Sequence, residues 1–174
     1  MAKPIQLRFP DGMTVTLLEQ GNDEWGDFLR IEHQILQQGA MNPPHWHPIL
    51  TETFEVKQGL VKGIVDGVER ELGPGDRLTI YPKQVHQFFN VGQETLIGIH
   101  EVRPPGCHWD MFVLHHQLAW EGKLSQKGVP YNPLWLGVIW KYGDGYDAGA
   151  PAIVQKVVLG GLARLAKALG YRVD

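Results

Sequence analysis

Cysteine occurs once, at Cys107, in 174 residues. One thiol excludes an intrachain disulfide, and a single chain cannot build thiolate zinc or iron–sulfur sites from it, so any metal must be held by nitrogen and oxygen. Charge of one sign is also lacking. The 16 Lys and Arg stand against 19 Asp and Glu, a formal net charge of -3, which gives no global field to draw the chain onto nucleic acid. No uncharged apolar run reaches membrane-spanning length. The segment from Met1 to Asp11, with Pro4, Arg8 and Pro10, lacks the apolar core of a secretory signal. The expected compartment is the cytoplasm. Internal repeats and low-complexity stretches are absent as well. What is present is 43% hydrophobic and 20% charged residues in 19.6 kDa, the balance of one globular domain with room for a core.

Glycine (21) and proline (12) are plentiful and spread out rather than gathered into a linker. Between about residues 5 and 103 they punctuate short segments rich in Val, Ile, Leu, Thr and Phe, which read as strands. Asp66-Gly67, flanked by Val61, Ile64 and Val65 and by Val68 and Leu72, is the strongest hairpin signal. Many short strands at regular spacing predict an all-β antiparallel sandwich or barrel. After Pro104-Pro105-Gly106 the period changes. Trp109, Phe112, Val113 and His116 recur at helical spacing. Asn132-Pro133 supplies a cap and a preset φ for a short helix through Trp140. Pro151 opens a longer helix, with Val154, Val157, Val158, Leu162, Leu165 and Leu169 down one side and Gly170 as a stop. The expected division is 1–106 for the β unit and 107–174 for a C-terminal α-helical extension. Charge follows it: residues 1–107 carry 9 basic and 14 acidic side chains, and 108–174 carry 7 and 5.

Most of the chemical information lies around Pro43-Pro44-His45-Trp46-His47-Pro48. In an extended strand residues two apart share a face, so the imidazoles of His45 and His47 point one way and Trp46 the other. Pro48 breaks that strand. After a turn through Ile49-Leu50-Thr51, Glu52 can open the next strand and face back toward the pair. On that strand Phe54 and Val56 share its inward face, while Thr53, Glu55 and Lys57 look outward. A buried carboxylate beside two buried imidazoles needs compensation, and a divalent cation provides it. His86, opening a strand after the turn Tyr81-Pro82-Lys83-Gln84, offers a fourth ligand. Three imidazoles and one carboxylate leave about two positions open in an octahedral site.

These residues resemble the cupin superfamily. Its first motif, Gly, five residues, His-x-His, four residues, Glu, six residues, Gly, is met by Gly39, His45, His47, Glu52 and Gly59. Its second, Gly, five residues, Pro-x-Gly, two residues, His, three residues, Asn, is met by Gly75, His86 and Asn90. Tyr81 and Lys83 stand where that motif has Pro and Gly, and Pro82 between them offers a similar bend. The resemblance implies a double-stranded β-helix, or jelly-roll, barrel over roughly residues 5–103. His45, His47, Glu52 and His86 would hold one divalent transition metal, of which Fe, Mn, Ni, Zn and Cu are the candidates. Some bacterial cupins of unassigned function are similar in the tail too, at Asn132 to Leu134 and Leu169 to Tyr171.

Two further histidines fall on inward faces. His33 shares one with Leu29, Ile31 and Ile35, and His100 shares one with Leu96 and Val102. The simple reading of each is a hydrogen-bonded interior histidine, and either can serve the pocket as acid or base. His115 and His116 adjoin on a helix and cannot both face one site. The terminal helix carries Lys156, Arg164 and Lys167 and no acid between Pro151 and Gly170. Burial of its apolar side against the β unit or a second subunit is the first expectation, because tertiary packing explains most amphipathic helices. A helix lying on an anionic membrane surface ranks second. The leading functional expectation is a metal-dependent dioxygenase acting on a small enolic or aromatic molecule, an oxidoreductase working as a homodimer. The alternatives are a metal-dependent sugar or keto-acid isomerase or epimerase, and a metal-dependent binding or sensing module without turnover. A phosphosugar needs a cationic cradle, and Arg30, Arg77, Lys83 and Arg103 are scattered along the chain.

Overall fold

The computed structural model describes residues 5–172. Its strands are β1 (Gln6–Arg8), β2 (Thr14–Asp23), β3 (Gly26–Ile35), β4 (Gly39–Ala40), β5 (His45–Trp46), β6 (Thr51–Gln58), β7 (Val61–Val65), β8 (Val68–Leu72), β9 (Arg77–Ile80), β10 (His86–Asn90), β11 (Leu96–Arg103) and β12 (Tyr146–Asp147). The helices are α1 (His108–Trp120), α2 (Pro133–Gly143) and α3 (Ala152–Ala168). All strand pairs are antiparallel, in two sheets. One runs β1-β2-β3-β11-β6-β9 and the other β12-β5-β10-β7-β8, with β4 also on β10. Among the described residues no pairing joins the sheets, so in hydrogen-bonding terms the expected barrel is a two-sheet sandwich.

The alternating residues of β6 show why the sheets face each other. Glu52, Phe54 and Val56 are buried while Thr53, Glu55 and Lys57 lie further out, the period of two that leaves one sheet face dry. Phe54 and Val56 meet Val61, Leu72 and Phe88 of the opposite sheet in the central core. The β7–β8 hairpin turns at Asp66 and Gly67, both at positive φ, the conformation that a two-residue hairpin turn with Asp-Gly favours.

The extension is helical as expected, and it is tied to the sheets more closely than its sequence indicates. Trp109, Phe112 and Val113 of α1 cover a cluster formed by Leu7, Phe9, Val15, Leu29 and Ile31. The β12 strand adds to β5, pairing Tyr146 with Trp46 and Asp147 with His45. At the start of α2 the Asn132 side chain accepts a hydrogen bond from Leu134 N at 2.9 Å, the capping role its position predicts. The first expectation for α3 is corrected in part. Its buried residues are Gln155 and Ala166, whereas Val154, Val157, Val158, Leu165 and Leu169 are exposed, so that apolar side does not pack on the β unit. Among the described residues no helix is long and apolar enough to cross a membrane.

Candidate metal centre

Four side chains from three strands converge between the sheets. The β5 strand and the residue after it bring His45 and His47, β6 brings Glu52, and β10 brings His86. One ligand atom from each of these four side chains lies within 4.8 Å of the others. The same-face reading of His45 and His47 holds: their rings meet edge to face at 5.0 Å, while Trp46 stacks on Tyr146 at 4.6 Å. Glu52 faces the pair across the turn that Pro48 initiates, with its Oε2 3.5 Å from His47 Nε2 and 2.9 Å from His86 Nε2.

Each imidazole of the set is oriented from behind. His45 Nδ1 lies 2.9 Å from the Pro43 carbonyl, His47 Nδ1 3.0 Å from the Asp144 carbonyl and His86 Nδ1 3.1 Å from the Gln84 carbonyl. A carbonyl oxygen only accepts, so Nδ1 must carry the hydrogen in all three rings, and in the neutral imidazole Nε2 is left as a bare lone pair. With all three rings neutral the centre would gather three lone pairs and a carboxylate, an arrangement that repels itself unless a cation, either a metal ion or a proton on His86 Nε2, lies among them. His47 Nε2 is buried with no hydrogen-bond partner. Backbone carbonyls holding the outer nitrogens of imidazole ligands are the usual support of a metal site, and the donor set fits a divalent ion of the first transition row.

Electrostatics agree. Burial alone would push the Glu52 carboxyl up, but hydrogen bonds to His100 and His86 and the nearby imidazoles hold it well below the carboxylate range. Burial pulls His86 down, and Glu52 more than reverses this and raises it. Burial, with His86 and His47 beside it, lowers His45 to about 4. Without a metal, Glu52 is thus held toward its carboxylate and His86 toward its imidazolium.

His33 and His100 stand in the same chamber. His100 Nε2 is 3.1 Å from Glu52 Oε1, and its Nδ1 is 3.4 Å from His33 Nε2. Burial lowers His33 to about 3, keeping it neutral. His115 and His116 lie elsewhere, the latter with its Nε2 3.0 Å from the Arg8 carbonyl.

Two contributions from the extension escape a reading of the sequence. His108, the first residue of α1, is buried, brings a ring nitrogen within 4.8 Å of Glu52 and His100, and leaves Nδ1 without a partner. Burial lowers it to about 3. The signal for it is topological: Pro104-Pro105-Gly106 turns the chain immediately after β11, so the first helical side chain returns over the end of the strand that carries His100. The second contribution is Asp144-Gly145, at the end of α2. Asp144 adopts a left-handed φ of 48 and aims its carbonyl at His47. A Cβ on Gly145 would lie 3.3 Å from His47 Cε1. A cleft of about 650 Å³ opens beside this cover, lined among others by Leu50, Pro105, Cys107, Lys141 and Asp144.

The departure at Tyr81 and Lys83 resolves simply. Lys83 takes a φ of 72, the conformation that the motif glycine would supply. Its N–H donates to the His47 carbonyl at 2.7 Å, so the turn before His86 is kept with a lysine in it.

Residues 32–100 match the model of the family described as Cupin domain. With both motifs and the sandwich in place, residues 32–100 form a cupin domain. Among solved structures it is similar to KdgF from Halomonas sp., at 20% identity over 52% of this chain and 78% of that one, with a TM-score of 0.45. It is also similar to a sugar phosphate isomerase from Silicibacter pomeroyi, at 20% identity over 55% and 62% with a TM-score of 0.45. An RmlC-like cupin from Shewanella frigidimarina shares 19% identity over 57% and 83% with a TM-score of 0.47. No curated protein matches the chain.

Proposed function

We propose that this chain is a metal-dependent enzyme of the dioxygenase type, with His45, His47, Glu52 and His86 as the ligands and a small enolic or aromatic molecule as substrate. The observation that carries the metal reading is the set of three imidazoles pinned through Nδ1 with their Nε2 atoms turned toward one carboxylate. The chemistry that a first-row ion supplies when held there is Lewis acidity toward an enolic or phenolic oxygen and a template for dioxygen.

The chain's own side chains favour an uncharged substrate. His33 and His108, both neutral through burial, and Phe54, Phe88 and Phe112 line the surroundings of Glu52 and His100. A phosphosugar would need cations, and the arginines are committed outside the chamber. Arg30 pairs with Glu19 and Glu101, Arg103 with Asp23 and Glu101, and Arg77 with Glu55. That weighs against the isomerase alternative in its phosphosugar form. His100 Nε2 donates to Glu52 Oε1, and its Nδ1 faces His33 Nε2 at 3.4 Å, so the base available to a substrate hydroxyl is the His33–His100 pair rather than Nε2 of His100.

Anaerobic loading with Fe(II), followed by oxygen-uptake measurement across enolic and phenolic compounds, tests the reading. Uptake that His47→Ala abolishes together with bound metal supports it. Turnover retained after metal loss refutes it, and tight metal binding without uptake leaves the binding-module alternative in its place.

A further inference from the structure

Three sectors run along α3, set by the rotation of about 100° per residue. The first is packed. Gln155 accepts from Asp147 N at 2.9 Å and donates to the carbonyls of Asp147 and Ala150 at 2.8 and 2.9 Å. Gly137 of α2 lies so close to the same side that a Cβ there would come within 2.7 Å of Ala163 N. The second sector is apolar and exposed: Val154, Val157, Val158, Leu165 and, one residue past the helix, Leu169 are each more than half accessible. The third carries Lys156, Arg164 and Lys167, all exposed. No acid occurs from Pro151 to Arg172, and among the described residues none of the three cations has an ion-pair partner.

An exposed apolar stripe bordered by unpaired cations has two natural occupants, a second copy of this chain or an anionic lipid surface. Charge decides between them. Arg164 borders the stripe, with Lys167 and Lys156 further round the same side, so an α3–α3 contact through the stripe brings Arg164 of each copy to the seam with no acid on either helix, and like charges at close range oppose association. A bilayer surface rich in anionic lipid accepts the apolar sector and supplies the missing negative charge, while Lys and Arg stems extend along the apolar boundary and keep their charged ends among the headgroups. We propose that α3 is a membrane-surface anchor that seats Val154, Val157, Val158, Leu165 and Leu169 in the interface of an anionic bilayer, holding the metal-binding domain at the membrane without a spanning segment. The proposal is independent of the metal centre and of the reaction.

Co-sedimentation of the full chain with vesicles tests it, comparing phosphatidylcholine alone with phosphatidylcholine containing phosphatidylglycerol. Binding is expected only to the anionic vesicles and is expected to weaken with salt. Neutralising one cation, as in Arg164→Gln, should weaken it about fivefold, and Leu165→Glu should abolish it. Both positions are exposed, and thermal midpoints equal to that of the parent chain verify that the variants fold. Absence of binding, or equal binding to neutral and anionic vesicles, overturns the proposal. So does a dimer in sedimentation velocity that Leu165→Glu dissolves while vesicles leave the chain in the supernatant, which would assign the stripe to self-association.

Discussion

His86 Nε2 lies 2.9 Å from Glu52 Oε2 while the other nitrogen of the same ring faces the Gln84 carbonyl at 3.1 Å. Only a doubly protonated ring satisfies both contacts in the metal-free protein, in keeping with the raised His86 and the depressed Glu52. The signs of the two shifts differ in consequence. The raised His86 contributes stability that is complete below its unfolded value and is lost as pH rises through its folded one. The depressed Glu52 contributes stability that is present above its unfolded value and is lost as pH falls through its folded one. A divalent ion must displace the shared proton, because metal ligands bind deprotonated. Apparent metal affinity is therefore expected to fall about tenfold per pH unit below the raised His86 value and to level off above it. Calorimetric titration in buffers of different ionisation enthalpy measures both the affinity and the proton released. An affinity independent of pH between about 6 and about 8, with no proton release, would contradict this assignment of His86.

Gly145 makes the extension part of the centre. Its neighbour Asp144 orients His47, and a Cβ at 145 would approach His47 Cε1 to 3.3 Å and His45 Cδ2 to 3.8 Å. The two branches of a valine side chain at this position would push both rings off the Asp144 and Pro43 carbonyls. Gly145→Val is expected to lower metal affinity by about 10- to 100-fold, the usual range for disturbing the groups behind a ligand. Circular dichroism should show the fold retained. Affinity unchanged from the parent would mean that the extension does not shape the site.

The cluster of His45, His47, Glu52 and His86 is legible in the sequence because its geometry is local. His45 and His47 obey the parity of an extended strand, and Glu52 and His86 open strands whose later inward residues, Phe54 and Phe88, are apolar. His33 and His100 are legible for the same reason. His108 is not, since its place depends on where a turn returns the chain in space rather than on spacing along it. Nor is Asp144, which acts through a backbone carbonyl that any residue type provides. The exposed side of α3 escapes the sequence because amphipathic spacing reports that an apolar side exists and not what covers it. Here Gly137 draws a different side of the helix onto α2.

Lys83 is a lysine in a glycine's conformation. At a φ of 72 a side chain meets steric opposition of roughly 1–2 kcal/mol that glycine escapes. Part of that gain is offset, because glycine leaves the unfolded chain freer. Lys83→Gly is expected to stabilise the protein by about 0.5–1 kcal/mol, a rise in thermal midpoint of about 1–4 °C for a chain of this size. The Lys83 side chain is exposed, so metal affinity should not change. A fall in midpoint would show that the lysine has a packing role which offsets its strain.

Gly98 makes room for Phe54 beneath the metal centre. A Cβ there would fall 2.2 Å from Phe54 Cζ and 2.7 Å from its Cε1, at the point where the pairing of β11 with β6 shifts register. The Phe54 ring cannot retreat freely, because Phe88 packs against it at 5.2 Å between ring centres and His100 lies on another side at 6.5 Å. Gly98→Ala is therefore expected to destabilise the fold by roughly 1–3 kcal/mol, the range for overpacking a closed core. Phe54→Leu removes the atoms that clash but leaves a void when made alone, so each change should harm the parent protein and the pair should be less harmful than their sum. Urea denaturation of the four proteins measures that coupling, which should reach about 0.5 kcal/mol or more for residues in contact. Strict additivity would mean that the β11 backbone yields in place of the ring, carrying His100 away from Glu52. The effect would then appear in metal affinity instead.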